Sequence, residues 1–316
     1  MIIHLCNFLT SLISCFILSI IVGFGIYFLI INSLVDDYID NYSDIGRSEA
    51  ILEFYNNQRG GVFYLGSSSI KEDLDMEIID SINGLDNFNL GNPGSTPIRR
   101  LIEVDSIIKA SPETVVLGVG PMSFSEKWLF PYDQYAIISK YVEENNFYNG
   151  SYPLGLNKFQ LLLYKRKFVP SALYIKFDLL FKRKVVFYGE YNSDFKSINI
   201  IPQSGKKTDF NFSEKNNFPE YYVSNETNNE KIAFEEIIKS LKEENIDVVI
   251  IKIPLNPLLE IDLKEYDKFI EDVSKKYDVE ILDYTFVYDE NLFYDANHLN
   301  EEGRIRFSRS VANAIQ

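Results

Sequence analysis

The stretch VFYLGSSSIKED, Val62 to Asp73, decides how the chain is read. Four apolar residues, Val62 to Leu65, are closed off by Gly66, the pattern of a short strand buried on both faces. Three serines follow. Three serines in a row ordinarily make a polar turn, and a serine hydroxyl becomes a nucleophile only where a base accepts its proton. The chain has two histidines, His4 and His298, so few residues can be that base.

Working outward, the same alternation of strand and helix recurs. NFNLGNPGSTP (Asn87 to Pro97) reads as a strand ending in a Gly/Pro/Asn/Ser/Thr loop, and TVVLGVG (Thr114 to Gly120) as another buried strand. Between them, Ile98 to Lys109 has helical apolar spacing. In the C-terminal third, Glu230 to Glu244 reads as a helix, IDVVIIKI (Ile246 to Ile253) as a strand stopped by Pro254, and Leu263 to Tyr277 as an amphipathic helix. VEILDY (Val279 to Tyr284) and Glu301 to Ile315 complete the series as strand and closing helix. Strands alternating with helices predict a parallel sheet covered on both faces. The middle, 125–229, is rich in Tyr, Phe, Asn and Lys without clear periodicity, and reads as an inserted cap subdomain over the C-terminal edge of the sheet.

The 316 residues, 46% of them hydrophobic, suffice for one large core. A net charge of −15 argues against nucleic acid as a partner. Both cysteines, Cys6 and Cys15, fall in the N-terminal apolar stretch, which excludes a thiol nucleophile or a Cys-based metal site in the folded domain. Leu5 to Val35 carries no charge, longer than the roughly 20 residues that span a bilayer, and too long for a signal-peptide core. It is expected to hold a single transmembrane helix, about Phe8 to Ile31, a buried core helix being the other reading. Asp36, Asp37 and Asp40 follow it with no Lys or Arg before Arg47, and four N-x-[ST] sequons begin at Asn41, Asn149, Asn211 and Asn225. Both features favour an extracytoplasmic domain. The expected organisation is an anchor (1–35), a stalk and first helix (36–60), a first core segment (61–124), the insertion (125–229) and a second core segment (230–316).

In a parallel sheet, ligands bind beyond the carboxyl ends of the strands. The loops at Gly66–Ser69, Gly91–Thr96 and Gly118–Ser123 lie there, and YDANHLNEEG (Tyr294 to Gly303) can reach the same rim. His4 sits at the membrane end, which leaves His298. Asp295 precedes it by three residues, a spacing that can set a carboxylate beside the imidazole and complete a Ser-His-Asp set. Each motif also has a plainer reading. The serines can be turn polarity, Asp295 or Asn297 can cap the last helix, and His298 can be a solvated side chain. One usable His and no Cys make a metal site unexpected. The acidic run DYIDNYSD (Asp37 to Asp44) lacks the glycine and the twelfth-position Glu of a calcium loop. Between Lys158 and Lys184 stand eight basic residues and one acid among apolar side chains. They suit either an amphipathic surface facing anionic lipid or polymer or a helical hairpin covering the core.

Taken together, these blocks resemble the SGNH (GDSL-like) hydrolase superfamily, and in particular its membrane-anchored cell-envelope members. The resemblance covers Val62 to Gly120 and Lys231 to Gln316 and implies a three-layer α/β/α, flavodoxin-like sheet. Gly66-Ser67-Ser68 matches the family's Gly-Asp-Ser, which makes Ser68 the implied nucleophile. Asp295 and His298 match its Asp-x-x-His block, with Gly303 following. NLGNPGST matches the block whose glycine N–H joins the oxyanion hole, which implies Gly94 beside the N–H of Ser68. The third block departs: Gly120 stands where the family has an Asn that donates to the oxyanion, and a missing donor of this kind costs roughly 10²–10³ in rate. The α/β-hydrolase alternative lacks the second glycine of G-x-S-x-G. The resemblance implies a serine esterase or O-acyltransferase acting on a cell-surface polysaccharide or polymer, without cofactor or metal. The membrane and a membrane-embedded acyl donor are its expected partners. The alternative is a catalytically inactive SGNH domain that binds glycans or scaffolds an envelope complex.

Overall fold

In β1 (Val62–Leu65) successive side chains leave the sheet on opposite faces, and all four are buried. Phe63 and Leu65 enter one apolar cluster, Val62 and Tyr64 the other. The strand therefore has no face for water, and layers form on both sides. The computed structural model describes residues 44–101, 103–125 and 223–315, with 14–19, 22, 23, 25, 195 and 196.

Five parallel strands form the sheet in the order β2-β1-β3-β4-β5, where β2 is Asn87–Asn89, β3 Thr114–Val119, β4 Asp247–Lys252 and β5 Glu280–Asp283. Register keeps the alternation in step across the strands. Phe63 pairs with Val115 and Leu65 with Leu117; Val115 and Leu117 in turn pair with Val248 and Ile250, all in the first cluster. That cluster is covered by α1 (Asp44–Asn57) through Ile51 and Tyr55, by α4 (Pro97–Leu101) and α5 (Val104–Ala110), by α6 (Asn229–Glu243) through Phe234 and Ile238, and by α7 (Lys264–Tyr277) through Tyr266 and Ile270. The opposite face carries α2 (Ser68–Asp73) with Ile70, α3 (Met76–Asn83) with Met76 and Ile79, and α8 (Glu301–Ala314) with Phe307 and Val311. The result is the expected three-layer α/β arrangement. The chain runs outward from β1 to β2 and returns to β3 on the other side of β1. That reversal makes the crevice at the carboxyl ends of β1 and β3 the switch point where ligands enter such sheets.

Several expected details differ. The helix read over Ile98 to Lys109 is two helices, with Glu103 at the N-cap of the second. The short α2 and α3, which the serine turn conceals in the sequence, are separated by Asp75, whose carboxylate caps α3 by accepting from the N–H groups of Glu77 and Ile78. Within the insertion, Phe195 and Lys196 are among the described residues. Phe195 accepts a backbone hydrogen bond from Asn89 at 2.9 Å, and its ring lies 4.8 Å from that of Phe54, so the chain here lines the outer edge of β2. The basic run 158–184 and most of 125–229 lie outside the described residues. So does most of the expected anchor, of which 14–19, 22, 23 and 25 are helical. Among the described residues, no helix is long and apolar enough to cross a membrane.

The loop after β2 lies directly on α2. A Cβ at Gly91 would overlap the backbone N and Cα of Lys71, atoms that cannot move without shifting the helix that begins with Ser68. Gly91→Ala is expected to destabilise the fold by about 1–3 kcal/mol, read as a lower midpoint in urea unfolding. A midpoint equal to that of the wild type would mean that the loop and helix are looser than this contact.

Candidate active site

Ser68 opens α2 one residue past Ser67 and two past the Gly66 that ends β1. The turn is held from below. The Gly66 carbonyl accepts from Arg100 Nη2 at 2.7 Å and from the Asn92 N–H at 2.9 Å, and the same Arg100 nitrogen reaches the Leu90 carbonyl at 2.7 Å. Arg100 also pairs with Glu103 at 2.8 Å, with both side chains buried, and Tyr55 donates to that carboxylate at 3.1 Å. Arg47 Nη2, buried, holds the Asn89 carbonyl at 2.7 Å. Buried guanidinium groups thus take up carbonyls at the ends of β1 and β2, where the sheet has stopped and the backbone oxygens need donors.

His298 lies on the loop between β5 and α8. Asn300, rather than Asp295 or Asn297, caps α8, accepting from the Gly303 N–H at 3.0 Å. Asp295 is thereby free of the helix. Its Oδ1 accepts the N–H groups of Asn297 and His298, each at 2.9 Å, and its Oδ2 meets His298 Nδ1 at 2.8 Å. On the other edge of the ring, His298 Nε2 lies 2.8 Å from Ser68 Oγ. With Nδ1–H donated to the Asp295 carboxylate, Nε2 is left to accept the serine proton. The three residues singled out in the sequence are therefore joined in one hydrogen-bonded run.

The electrostatics follow from this arrangement. Burial alone would lower the His298 pKa, but the hydrogen bond to Asp295, the nearby Asp73, and the charges of Asp295 and Glu72 raise it to about 9. Burial pushes Asp295 up, while His298 and the two backbone N–H groups hold it, on balance, below the usual carboxylate range. Asp73 is wholly buried, and burial drives its carboxyl well above that range, against the opposing pull of His298 and the Leu299 N–H.

The resemblance implies an oxyanion hole at three positions, Ser68, Gly94 and Gly120. The N–H groups of Ser68 and Gly94 have no acceptor among the described residues: the first opens a helix, and the second lies in a turn where Gly94 takes φ of +63°. Gly120 differs. Its N–H is directed to Ser123 Oγ at 3.4 Å, and a Cβ there would stand 2.7 Å from Ile253 Cδ1. Ile253 thus fills the space where a side-chain donor at 120 would begin.

Sequence reasoning missed a set of supporting residues. Asn256, on the loop after β4, donates from Nδ2 to the Asp295 carbonyl at 3.2 Å and from its backbone to Ala296 at 2.9 Å. Ser69 and Asn297 exchange hydrogen bonds at 3.0 and 3.2 Å, Asp73 accepts the Leu299 N–H at 2.9 Å, and Tyr294 donates to Glu72 at 2.8 Å. For Ser69, Glu72, Asp73, Tyr294, Asn297 and Leu299 the only sequence signal was proximity to Ser68 or His298; Asn256 had none. Among the described residues, no group of three or more His, Cys, Asp or Glu side chains is placed to hold a metal ion.

Comparison with known proteins finds the following. The family model described as DltD protein matches residues 199–316, the segment that contains β4, β5, Asp295 and His298. That segment is well under half of the chain. Among solved structures, the chain is similar to a crystal structure of an acetyl xylan esterase, AlAXEase, at 12% identity over 81% of this chain and 99% of that one. The TM-score is 0.39, a likeness too slight to bear on the chemistry. No curated protein matches.

Proposed function

We propose that this protein is a serine esterase or O-acyltransferase acting on ester groups of a cell-surface polysaccharide or polymer. It is held at the membrane by its N-terminal apolar segment, with the catalytic domain outside. The observation that carries this reading is the unbroken run Ser68 Oγ, His298 Nε2, His298 Nδ1, Asp295 Oδ2, with 2.8 Å at each junction. Ser68 Oγ attacks the ester carbonyl as its proton passes to His298 Nε2. The free N–H groups of Ser68 and Gly94 receive the developing oxyanion. The C–O bond to the leaving alcohol breaks, and the alcohol takes the proton from His298. A water or a sugar hydroxyl then gives its proton to His298 and attacks the acyl-serine carbonyl; the C–Oγ bond breaks, His298 returns the proton to Ser68 Oγ, and the acid or the new ester leaves.

The test is covalent labelling of the full chain in detergent micelles with a fluorophosphonate. His298 must be neutral to accept the serine proton, and its pKa is raised. The labelling rate is therefore expected to climb with pH, about tenfold per unit well below the midpoint, and to level off near pH 9. A rate that is flat from pH 6 to 9 would detach His298 from the reaction. Gly120 in place of a side-chain donor favours a second reading, an inactive domain that binds glycan. A folded wild type that takes no label at any pH would support that one. The extracytoplasmic placement is tested by a reporter fused after Gln316 that is active only in the cytoplasm: it should be silent.

A further inference from the structure

Ser68 and Glu72 are four residues apart on α2, and so face the same way. Tyr294 and His298 are also four apart. Their loop closes on itself: the Tyr294 N–H donates to the His298 carbonyl at 3.1 Å, and Phe293 bridges Leu299. The two segments meet as a ladder with rungs at Ser68–His298 and Glu72–Tyr294, both 2.8 Å. Across the second rung, the Tyr294 ring lies parallel to the imidazole, with centroids 5.4 Å apart and planes 9° from parallel.

Hydrogen bonds at Nδ1 and Nε2 fix the two ends of the imidazole but leave it free to tilt about the axis joining them. A ring stacked on one face removes that freedom, provided the stacking ring is itself held. Tyr294 is held at its far end by a carboxylate on the helix that presents Ser68. We propose that Tyr294 and Glu72 are positioning residues for His298, the phenol setting the tilt of the imidazole and Glu72 tying that setting to the nucleophile's own helix. The proposal rests on the reading of Ser68 and His298 as nucleophile and base. Tyr294 suits the task as a donor, since burial and then Glu72 push its phenol well above the ordinary value and keep the proton in place. The groups facing the imidazole are then Asp295, Glu72, Asp73 and Tyr294. The face of the phenol also favours the imidazolium that forms when Ser68 gives up its proton.

The experiment uses the full chain in micelles. Above pH 9, Tyr294→Leu is expected to lower fluorophosphonate labelling about tenfold or more, since small misplacements of a reacting group carry penalties of this order. Tyr294→Phe, which keeps the ring and loses its anchor, should lose about threefold. Labelling of folded Tyr294→Leu within twofold of the wild type would overturn the proposal. Should that variant fail to fold, Glu72→Ala decides: a loss of threefold or more that Glu72→Gln does not share supports the proposal, and wild-type labelling refutes it. If the wild type takes no label, the enzymatic reading fails and the His298 titration decides the positioning by itself. With two histidines in the chain, the ring signals from histidine-labelled protein are assigned by one His298→Gln sample. A midpoint lowered in Tyr294→Leu supports the positioning; an unmoved one overturns it.

Discussion

Ser68→Ala is expected to abolish fluorophosphonate labelling, and His298→Ala to slow it by at least about 10⁴, since members of such a set act as a unit. The reason is local. Ser68 is the serine of the triplet that meets His298 Nε2, whereas the Ser69 hydroxyl is engaged by Asn297. Ser69→Ala should therefore keep the label, because it removes a strut of the loop and leaves the attacking group. Asp295→Asn tests the third member. An amide facing Nδ1 favours the wrong tautomer, and a loss of about 10⁴ is expected. Mass spectrometry of the labelled peptide reads all four results. Label on Ser69 in the wild type, or undiminished label in His298→Ala, would refute the assignment.

The largest expected effect on stability belongs to Arg100. Its guanidinium neutralises Glu103 and holds the carbonyls of Gly66 and Leu90 at a site closed to water. Arg100→Met preserves much of the volume but leaves a buried carboxylate with only the Tyr55 hydroxyl for support, and is expected to cost about 3–5 kcal/mol. Removing the stranded charge should recover some of this, so Arg100→Met/Glu103→Gln is expected to be more stable than Arg100→Met alone. Urea unfolding of both single variants and of the double gives the comparison. A double variant as unstable as the sum of its two singles would mean that the pair is not coupled. Since Gly66 immediately precedes Ser67-Ser68, the single variant should also label more slowly than its remaining folded fraction explains.

The three central strands, β1, β3 and β4, were legible because each is a short, nearly continuous apolar run, and burial on both faces demands that pattern. Val62 to Leu65 has the same bounds in sequence and structure, and Asp247–Lys252 differs from the expected strand by one residue at each end. The break between α4 and α5 was not legible, because the apolar spacing of Ile98, Leu101 and Ile108 runs across it without interruption. At the site, Asp295 and His298 could be named because their spacing is local and the chain offers no other histidine for the domain. Whether Asp295 capped a helix or met the imidazole was open in the sequence; Asn300, a better-placed cap, leaves it to the imidazole. Glu72, Asp73 and Tyr294 carried no such signal. Their partners lie 222 to 226 residues away, and at that range an ordinary surface glutamate and one that steadies a ring look the same. Gly120 was conspicuous in the sequence only as a departure. Its physical counterpart is Ile253, which occupies the space from another strand end.

The 230 residues between Ser68 and His298 also set a clock. At the usual pace of synthesis, about 5–20 residues per second, the serine turn exists for tens of seconds before its base has been made. Through that interval β1 to β4 can pair, and the hydroxyl at the end of β1 remains an ordinary alcohol. The proton acceptor arrives with the last loop, and α8 behind it covers the remaining face of the sheet. If Ser68 is the nucleophile proposed above, a growing or truncated chain lacks the base that would activate it, and reactivity begins only when the sheet has been closed.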